Sequence, residues 1–330
     1  MKRSRSNRRP TKLGLSIVVS AITATLLVPG AHAETSASYP LVVENNCSDP
    51  IYVRGHAESG TLQPDNQLLA ASNGSATYTL SADFVSGNLF GCWDNTVKKG
   101  ISVTDTLAME MHCAMAEVSV TDVSTGAVNA DITFVDAISL AASVSLDGGQ
   151  ACNPASCSIG TSFTSSAITS GCPTQVVDGE VCLSANTYCT QNPTASFCSQ
   201  LDQAISDCVS QQPACADAQG STTTDVYGCS GSFFSTAEGE PFCAALNRGF
   251  LSQCNQGCTN QTNSADFYPS GGTFNTYAAF VHQTAGAFYA FPYDDYPGSL
   301  NQAGDLGATG SSQLTVTFCP SSESGGATSR

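Results

Sequence analysis

The chain has 330 residues, with 11 Lys and Arg against 27 Asp and Glu, and a formal net charge of −16. Binding to nucleic acid needs clustered Lys and Arg at the phosphates, so this charge argues against nucleic acid and against an anionic membrane surface as partners. An uncharged polymer, a cation or a basic protein is compatible with the composition.

Residues 1–33 have the three parts of an export signal. Lys and Arg without acids occupy residues 2–12, an apolar segment covers 13–28, and Ala31-His32-Ala33 supplies small residues for cleavage. We therefore predict a signal peptide at 1–33 and a protein secreted to the extracellular or cell-envelope space. The alternative is a membrane anchor, for which the segment is short; no other segment is apolar enough to span a bilayer. The mature chain would keep 5 basic residues against 27 acids, a net charge of −22.

All 16 cysteines follow the predicted cleavage site. An even count in an exported chain predicts a disulfide framework, in which each bridge adds ~2–4 kcal/mol by restricting the unfolded chain. Metal binding is the alternative, but the close pairs lack Cys-x-x-Cys spacing, and we expect neither a metal nor a cofactor. The predicted disulfide cysteines are Cys47, Cys92, Cys113, Cys152, Cys157, Cys172, Cys182, Cys189, Cys198, Cys208, Cys215, Cys229, Cys243, Cys254, Cys258 and Cys319.

Residues 34–148 are predicted to form the first part of a β-sandwich. Short β-rich or alternating segments, separated by Gly, Asn and Ser, occur at 39–45, 50–54, 76–80 and 88–93. Strands at this spacing are typical of sandwich folds.

A hairpin with two opposed acids is predicted next. Residues 115–121 and 129–134 alternate around a turn-like segment, and a turn centred on residue 124 sets Glu117 opposite Asp131 on the polar face. Like charges directly opposite each other destabilise a ladder, so these acids are a candidate acid–base pair. The alternatives are that both simply point into water, or that they bind calcium without EF-hand spacing.

Residues 149–264 are predicted to form a cysteine-rich domain inserted into the sandwich. Helical spacing connects Phe197, Leu201, Ile205 and Cys208, and again Phe242, Leu246, Phe250 and Cys254. Residues 220–232 are predicted to be a loop. This zone is too polar to build a large core by itself, which explains the number of bridges.

Residues 265–320 are predicted to return to the sandwich. A helix capped by Asn275 and stopped by Gly286, a turn at 293–298 and an alternating strand at 314–319 follow in order. The Ser- and Gly-rich tail at 321–330 is predicted to be disordered.

Several segments, in order along the chain, resemble thaumatin-like proteins. They are 41–47 ending in Cys47, Ala116-Glu117-Val118, 131–139 beginning Asp-Ile-Thr-Phe-Val-Asp, Cys152-x4-Cys157, Gly171-Cys172-Pro173, 277–280, 291–295 and 314–320. The Tyr-Ala-Phe-Pro-Tyr-Asp-Asp segment at 289–295 also resembles the related family-64 β-1,3-glucanases.

The resemblance implies a mainly β fold, a thaumatin-like β-sandwich with an inserted disulfide-rich, partly helical domain and an acidic cleft. Its cleft acids would be Glu117, Asp131, Asp136 and one of Asp294 and Asp295, and Cys47 would pair with Cys319. Gln67 stands near the place of the arginine that the family keeps beside these acids, and Arg54 is the only nearby substitute. Tyr293 is an aromatic candidate for stacking on a sugar ring, although core packing is its default role.

The predicted function is binding of β-1,3-glucan or a similar neutral polysaccharide by a monomer, with the antifungal action associated with the family. The missing arginine favours binding, in which the acids only hydrogen-bond sugar hydroxyls. The alternative is an endo-β-1,3-glucanase, a glycoside hydrolase with Glu117 as acid and Asp131 or Asp136 as the second carboxylate. Carboxyl groups ~5 Å apart suit retention of configuration and ~6.5–9.5 Å suits inversion.

Overall fold

A computed structural model describes residues 38–59, 62–63, 67–81, 84–93, 113–174, 176–178, 181–211, 221–234, 239–248, 276–286, 288–294 and 304–320. All of them belong to one compact unit, Ser36–Arg330. The predicted signal peptide, the predicted tail and Asp295 lie outside the described residues. None of the helices in these ranges has the length and apolar character needed to cross a membrane.

One face of the sandwich is a six-stranded sheet that joins both ends of the described chain. Across the sheet the strands are β12 (Ser158–Gly160), β10 (Ala142–Asp147), β16 (Gln313–Phe318), β1 (Ser38–Asn45), β5 (Gly74–Ser81) and β3 (Leu62–Gln63). β1 and β16 are parallel, with Leu41 opposite Leu314. Alternate residues of β1 are buried, as expected for a strand with one face on a core.

The other face is a seven-stranded sheet. Its strands in order are β11 (Gln150–Asn153), β15 (Asp305–Thr309), β8 (Ala127–Thr133), β7 (Ala114–Asp122), β6 (Val85–Trp93), β2 (Ile51–Ser59) and β4 (Gln67–Leu69). Val118 and Ile132 from this sheet pack in one continuous apolar core with Leu41 and Tyr78 from the other. The predicted mainly β architecture is therefore confirmed.

A small third sheet and the helices follow the sandwich strands. The small sheet contains β13 (Val177–Asp178), β14 (Val181–Leu183) and β9 (Ala137–Ile138). The helices are α1 (Ser165–Gly171), α2 (Ala185–Gln191), α3 (Ser196–Gln211), α4 (Thr223–Gly228), α5 (Gly231–Phe234), α6 (Gly239–Arg248) and α7 (Thr276–Ala285).

Three of the seven helices in the described ranges were predicted, and four were missed: α1, α2, α4 and α5. α3, α6 and α7 lie where helical spacing indicates them, although Phe250 and Asn275 lie outside the described residues. The predicted loop at 220–232 is wrong, because it contains α4 and the start of α5. A capping box begins α4: the Thr222 hydroxyl accepts from the Asp225 N–H and the Asp225 carboxylate accepts from the Thr222 N–H.

Disulfides connect distant and local parts of the chain. Cys47 is bonded to Cys319, which ties the ends of the parallel strands β1 and β16 together. The other bridges among the described residues are Cys92–Cys113, Cys152–Cys157, Cys172–Cys182, Cys189–Cys198 and Cys229–Cys243. The side chains of Cys208, Cys215, Cys254 and Cys258 lie outside the described part of the molecule.

The start of the predicted cysteine-rich domain contributes strands to both sandwich sheets. β11 pairs with β15 and β12 pairs with β10, while β14 pairs with β9, the short strand that follows Asp136. Residues 150–160 are therefore part of the sandwich, and the limits of the inserted domain stay a prediction.

Candidate active site

A row of polar residues crosses the seven-stranded sheet. In directly opposed positions stand Asn88 on β6, Glu117 on β7, Asp131 on β8 and Asp305 on β15. The flanking residues Val118 and Ala130 point into the core, so the row lies on the opposite, outer face. The predicted hairpin register, with Glu117 opposite Asp131, is confirmed. Opposed Cβ atoms are roughly 5 Å apart, which crowds three carboxyl groups on neighbouring strands.

Two of these acids and a third acid line a cleft of about 490 Å³. The volume is within the range of ~300–1,000 Å³ that small-molecule ligands occupy in proteins. The structure therefore brings together the three acids that the sequence analysis names as catalytic. The cleft residues are Asn88, Met115, Glu117, Asp131, Thr133, Val135, Asp136, Tyr289 and Pro292.

Glu117 and Asp131 face each other across the ladder, and a hydrogen bond between their carboxyl groups acts on the pKa of both. Such a bond needs a proton on one of the two groups, since an ionised carboxylate can only accept. Burial, followed by the negative charges of Glu117 and Asp305, raises the pKa of Asp131 well above its usual range. Burial is also the main cause that raises the pKa of Glu117, with smaller contributions from Asp136 and Asp305. The pair titrates as a unit and keeps one proton to a higher pH than an isolated carboxyl group.

The hydrogen bond within the pair distinguishes its two members. It lowers the pKa of Glu117 and raises that of Asp131, and the one proton belongs to the pair as a unit. The Oδ1 atom of Asp131 is buried and has no hydrogen-bond partner in the structure. The pair thus supplies a donor and an unsatisfied acceptor at the floor of the cleft.

Asp136 lies between the end of β8 and the start of β9. Hydrogen bonds from residues in the helical part of the chain fix its position. The Ser184 N–H donates to the Asp136 carbonyl at 2.9 Å, and the Thr187 hydroxyl donates to Asp136 Oδ1 at 3.4 Å. Ser184 also caps α2 through its side chain. Asp136 is therefore positioned by a different part of the fold from the pair that it faces in the cleft.

Asp294, a candidate binding residue, is not in the cleft. Its side chain is 0% exposed, and its Oδ1 atom lies 3.3 Å from the guanidinium of Arg248, which is 1% exposed. His282 Nε2 lies 2.7 Å from Oδ2, and the Ala290 N–H donates to the same oxygen at 2.9 Å. Arg248 also donates to the Asp294 carbonyl and lies over the Phe291 ring, 5.5 Å from its centroid. These contacts give Asp294 a structural position instead of a place at the rim.

The other candidate binding residues are also away from the cleft lining. The half-buried Tyr293 donates its hydroxyl to the Phe234 carbonyl at 3.3 Å. Gln67 is on the edge strand β4, opposite Val53. Arg54, considered as a substitute for the family's arginine, is opposite Phe90, which is opposite Met115 of the cleft. Arg54 therefore lies in the row next to the acids on the same sheet.

Asn88 and Asp305 belong to the site and were not found from the sequence, whereas Tyr289, in the segment that resembles the family-64 glucanases, lines the cleft. Asp305 begins β15, where Leu306 and Ala308 alternate with less buried residues, and this alternation was the available signal. Tyr289 donates its hydroxyl to the two carboxylate oxygens of Asp305 at 3.1 and 3.2 Å. No group of three or more His, Cys, Asp or Glu side chains within the described ranges is arranged to hold a metal ion.

Comparisons with known proteins connect this architecture with glucan hydrolases. Residues 183–318 match the family model described as beta-1,3-glucanase, glycoside hydrolase family 64. That segment contains Tyr289 and Asp305, whereas the three cleft acids precede it. No curated protein matches the chain in a sequence search.

Two solved structures have a similar fold. One is a beta-1,3-glucanase domain (GH64) from Clostridium beijerinckii, 15% identical, with a TM-score of 0.54 over 86% of this chain and 98% of that chain. The other is a laminaripentaose-producing beta-1,3-glucanase of the same family from Paenibacillus barengoltzii, complexed with laminarihexaose; it is 15% identical, with a TM-score of 0.52 over 86% of this chain and 75% of that chain. At this low sequence identity, the structural similarity shows that this chain and the two glucanases share a fold.

Proposed function

We propose that this chain hydrolyses β-1,3-glucan in the cleft, with the proton of the Glu117–Asp131 pair as the general acid. The observation that carries the proposal is the hydrogen-bonded carboxyl pair, which burial keeps protonated in a ligand-sized cleft. Glycoside hydrolysis needs a carboxylic acid that stays protonated until it reaches the leaving oxygen. The match of residues 183–318 to family 64 and the shared fold support this substrate class.

Asp136 is the better second carboxylate. Glu117 and Asp131 are directly opposed and act on each other through a hydrogen bond, and groups in such contact leave no room for a glycosidic bond or a water molecule between them. Inverting enzymes separate their carboxyl groups by ~6.5–9.5 Å, and Asp136 acts on Glu117 by charge without bonding to it. We therefore assign the acid to the pair and the base to Asp136.

The reaction then balances at each atom. The pair transfers its proton to the glycosidic oxygen as the bond between that oxygen and the anomeric carbon breaks. A water molecule attacks the anomeric carbon from the opposite face, and Asp136 accepts its proton. Loss of that proton to solvent and reprotonation of the pair complete the cycle, and the configuration of the product is inverted.

Binding without hydrolysis, which the missing arginine favours, has less support than hydrolysis. The family match is to glucanases, and a pair kept protonated has a use in proton transfer that sugar binding does not need. Secretion, cleavage after Ala33, the monomeric state, the thaumatin-like relationship and antifungal action complete the proposal. The six described disulfides fit an oxidising compartment.

Incubation with laminarin tests the assignment of the acid and the base. The wild-type chain should release reducing ends whose first-formed anomer, followed by proton NMR, is inverted. D136A should lose hydrolysis by roughly 10²–10⁴, and added azide should give the α-glycosyl azide because a small anion replaces the activated water. D147N, which changes an acid at the exposed end of β10, is the matched control and should act as the wild type does. A first product with retained configuration would contradict the role of Asp136 as base.

A further inference from the structure

Asp305 is a third acid beside the carboxyl pair. It lies next to Asp131, on the side of Asp131 opposite to Glu117. Asp305 on β15 is directly opposite Asp131 on β8, and Asp131 is directly opposite Glu117 on β7. Opposed residues on neighbouring strands point to the same face. Asp131 therefore lies between two acids, one of which shares a proton with it while the other is not in the cleft lining.

Tyr289 holds Asp305 in this position. Its hydroxyl lies 3.1 and 3.2 Å from the two carboxylate oxygens of Asp305. The backbone of Tyr289 is itself fixed to the end of β8, because its carbonyl accepts from the Phe134 N–H at 2.7 Å and because Tyr289 forms an isolated bridge with Thr133. Since Tyr289 also lines the cleft, the wall of the cleft and the orientation of Asp305 are connected through one side chain.

The groups that face Asp131 from the surrounding elements are mostly acidic. They are Glu117 on β7, Asp305 on β15, Asp136 after β8 and the phenol of Tyr289. Farther along the row is Asn88 on β6, and Arg54 lies in the neighbouring row. The negative charge of Asp305 raises the pKa of both members of the pair, in the direction that the register predicts.

We infer that Asp305 is a positioning residue for hydrolysis, whose fixed negative charge keeps the shared proton on the Glu117–Asp131 pair. The inference rests on the proposed function and deepens it, because it names a group that, together with burial, extends the reaction to higher pH. Asp305 does not transfer the proton itself. Its effect passes through Asp131, and Tyr289 makes that effect constant by holding the carboxylate in one orientation.

A carboxyl-carbon NMR titration of the ligand-free chain tests the inference without substrate. In D305N the titration midpoints of Asp131 and Glu117 should move to lower pH, because a neighbouring negative charge is lost while the amide oxygen can still accept from Tyr289. D305E keeps the charge and should stay close to the wild type. D147N, remote from the row on β10, should leave both midpoints unchanged. If D305N does not fold, D305Q compared with D305E makes the same comparison of charge.

The pH profile of laminarin hydrolysis gives the second readout. At the alkaline pH where the wild type keeps half of its maximal kcat/KM, D305N should keep less than half of its own maximum, while D305E should keep about half. Unchanged midpoints in a folded D305N, or equal shifts in D305N and D305E, would overturn the inference. Shifted midpoints in a chain that does not cleave laminarin would support the role of Asp305 and refute the proposed function instead, so the two failures are distinguishable.

Discussion

Replacing Asp294 with asparagine tests whether this residue stabilises the fold or contacts glucan. D294N keeps the shape of the side chain and removes its charge. In the wild type that charge faces the buried guanidinium of Arg248 at 3.3 Å and His282 Nε2 at 2.7 Å. The substitution removes the negative charge that faces Arg248, while the positively charged guanidinium of Arg248 on α6 stays buried.

The expected loss of stability is large because both partners are buried. Removing one member of a buried ion pair costs ~3–5 kcal/mol, since the remaining charge stays in a site with little solvent. With an unfolding entropy of ~2.1 cal/mol/K per residue, a unit as long as Ser36–Arg330 loses roughly 1.6 °C in Tm for each kcal/mol, so the expected fall in Tm is roughly 5–8 °C. The exposed Glu240 in the first turn of the same helix gives the matched control, and E240Q should change stability by less than about 0.5 kcal/mol.

Thermal unfolding and laminarin titration of both variants separate the two roles. The structural role predicts a lower Tm for D294N and, below that Tm, a Kd for laminarin close to that of E240Q. A D294N protein with the Tm of the control and a clearly weaker Kd would refute the reasoning. Asp294 would then contact the glucan, as the resemblance to thaumatin-like proteins implies.

Three further predictions concern stability. The raised pKa values of Glu117 and Asp131 mean that the folded state binds more protons than the unfolded state above pH ~4. The free energy of unfolding should therefore fall as pH rises from ~4 towards the folded pKa values, and urea unfolding should show a flatter fall for E117Q/D131N; an equally steep fall would contradict the shared proton. T222A should destabilise the chain by ~1 kcal/mol through loss of the capping box, and a Tm equal to that of the wild type would argue against the cap. Removing the Cys47–Cys319 bridge with C47S/C319S should lower the free energy of unfolding by ~2–5 kcal/mol, measured by urea unfolding. An unchanged urea midpoint would show that the bridge does not restrict the unfolded chain.

Local alternation was sufficient to predict the hairpin that carries the acid pair. Residues on β7 and β8 are joined by a short turn, so the position of the turn fixes the register and sets Glu117 opposite Asp131. The strand that completes the row, β15, follows 174 residues after Asp131 and is brought there by the fold. No local pattern contains that pairing, and this is why Asp305 was missed.

The misplaced candidates have equally physical reasons. The residues around Asp294 are typical of a turn, and their composition does not tell whether the Asp294 side chain is exposed to solvent or buried in an ion pair. The contacts of Asp294 with Arg248 and His282 show that it is buried. The missed helix α4 is rich in Thr and Gly, which favour loops in isolation. Its capping box, Thr222 with Asp225, was the available signal for the helix start.

The kcat/KM of E117Q for laminarin, measured beside D147N, tests the central claim most directly. The claim is that the proton shared by Glu117 and Asp131 is the acid of glucan hydrolysis. It predicts that kcat/KM falls by roughly 10²–10⁴ while Tm stays equal to that of the wild type or rises, because the substitution relieves the crowding of carboxyl groups. An E117Q protein that is clearly less stable and still binds and cleaves laminarin as D147N does would show that Glu117 is structural and would contradict the account.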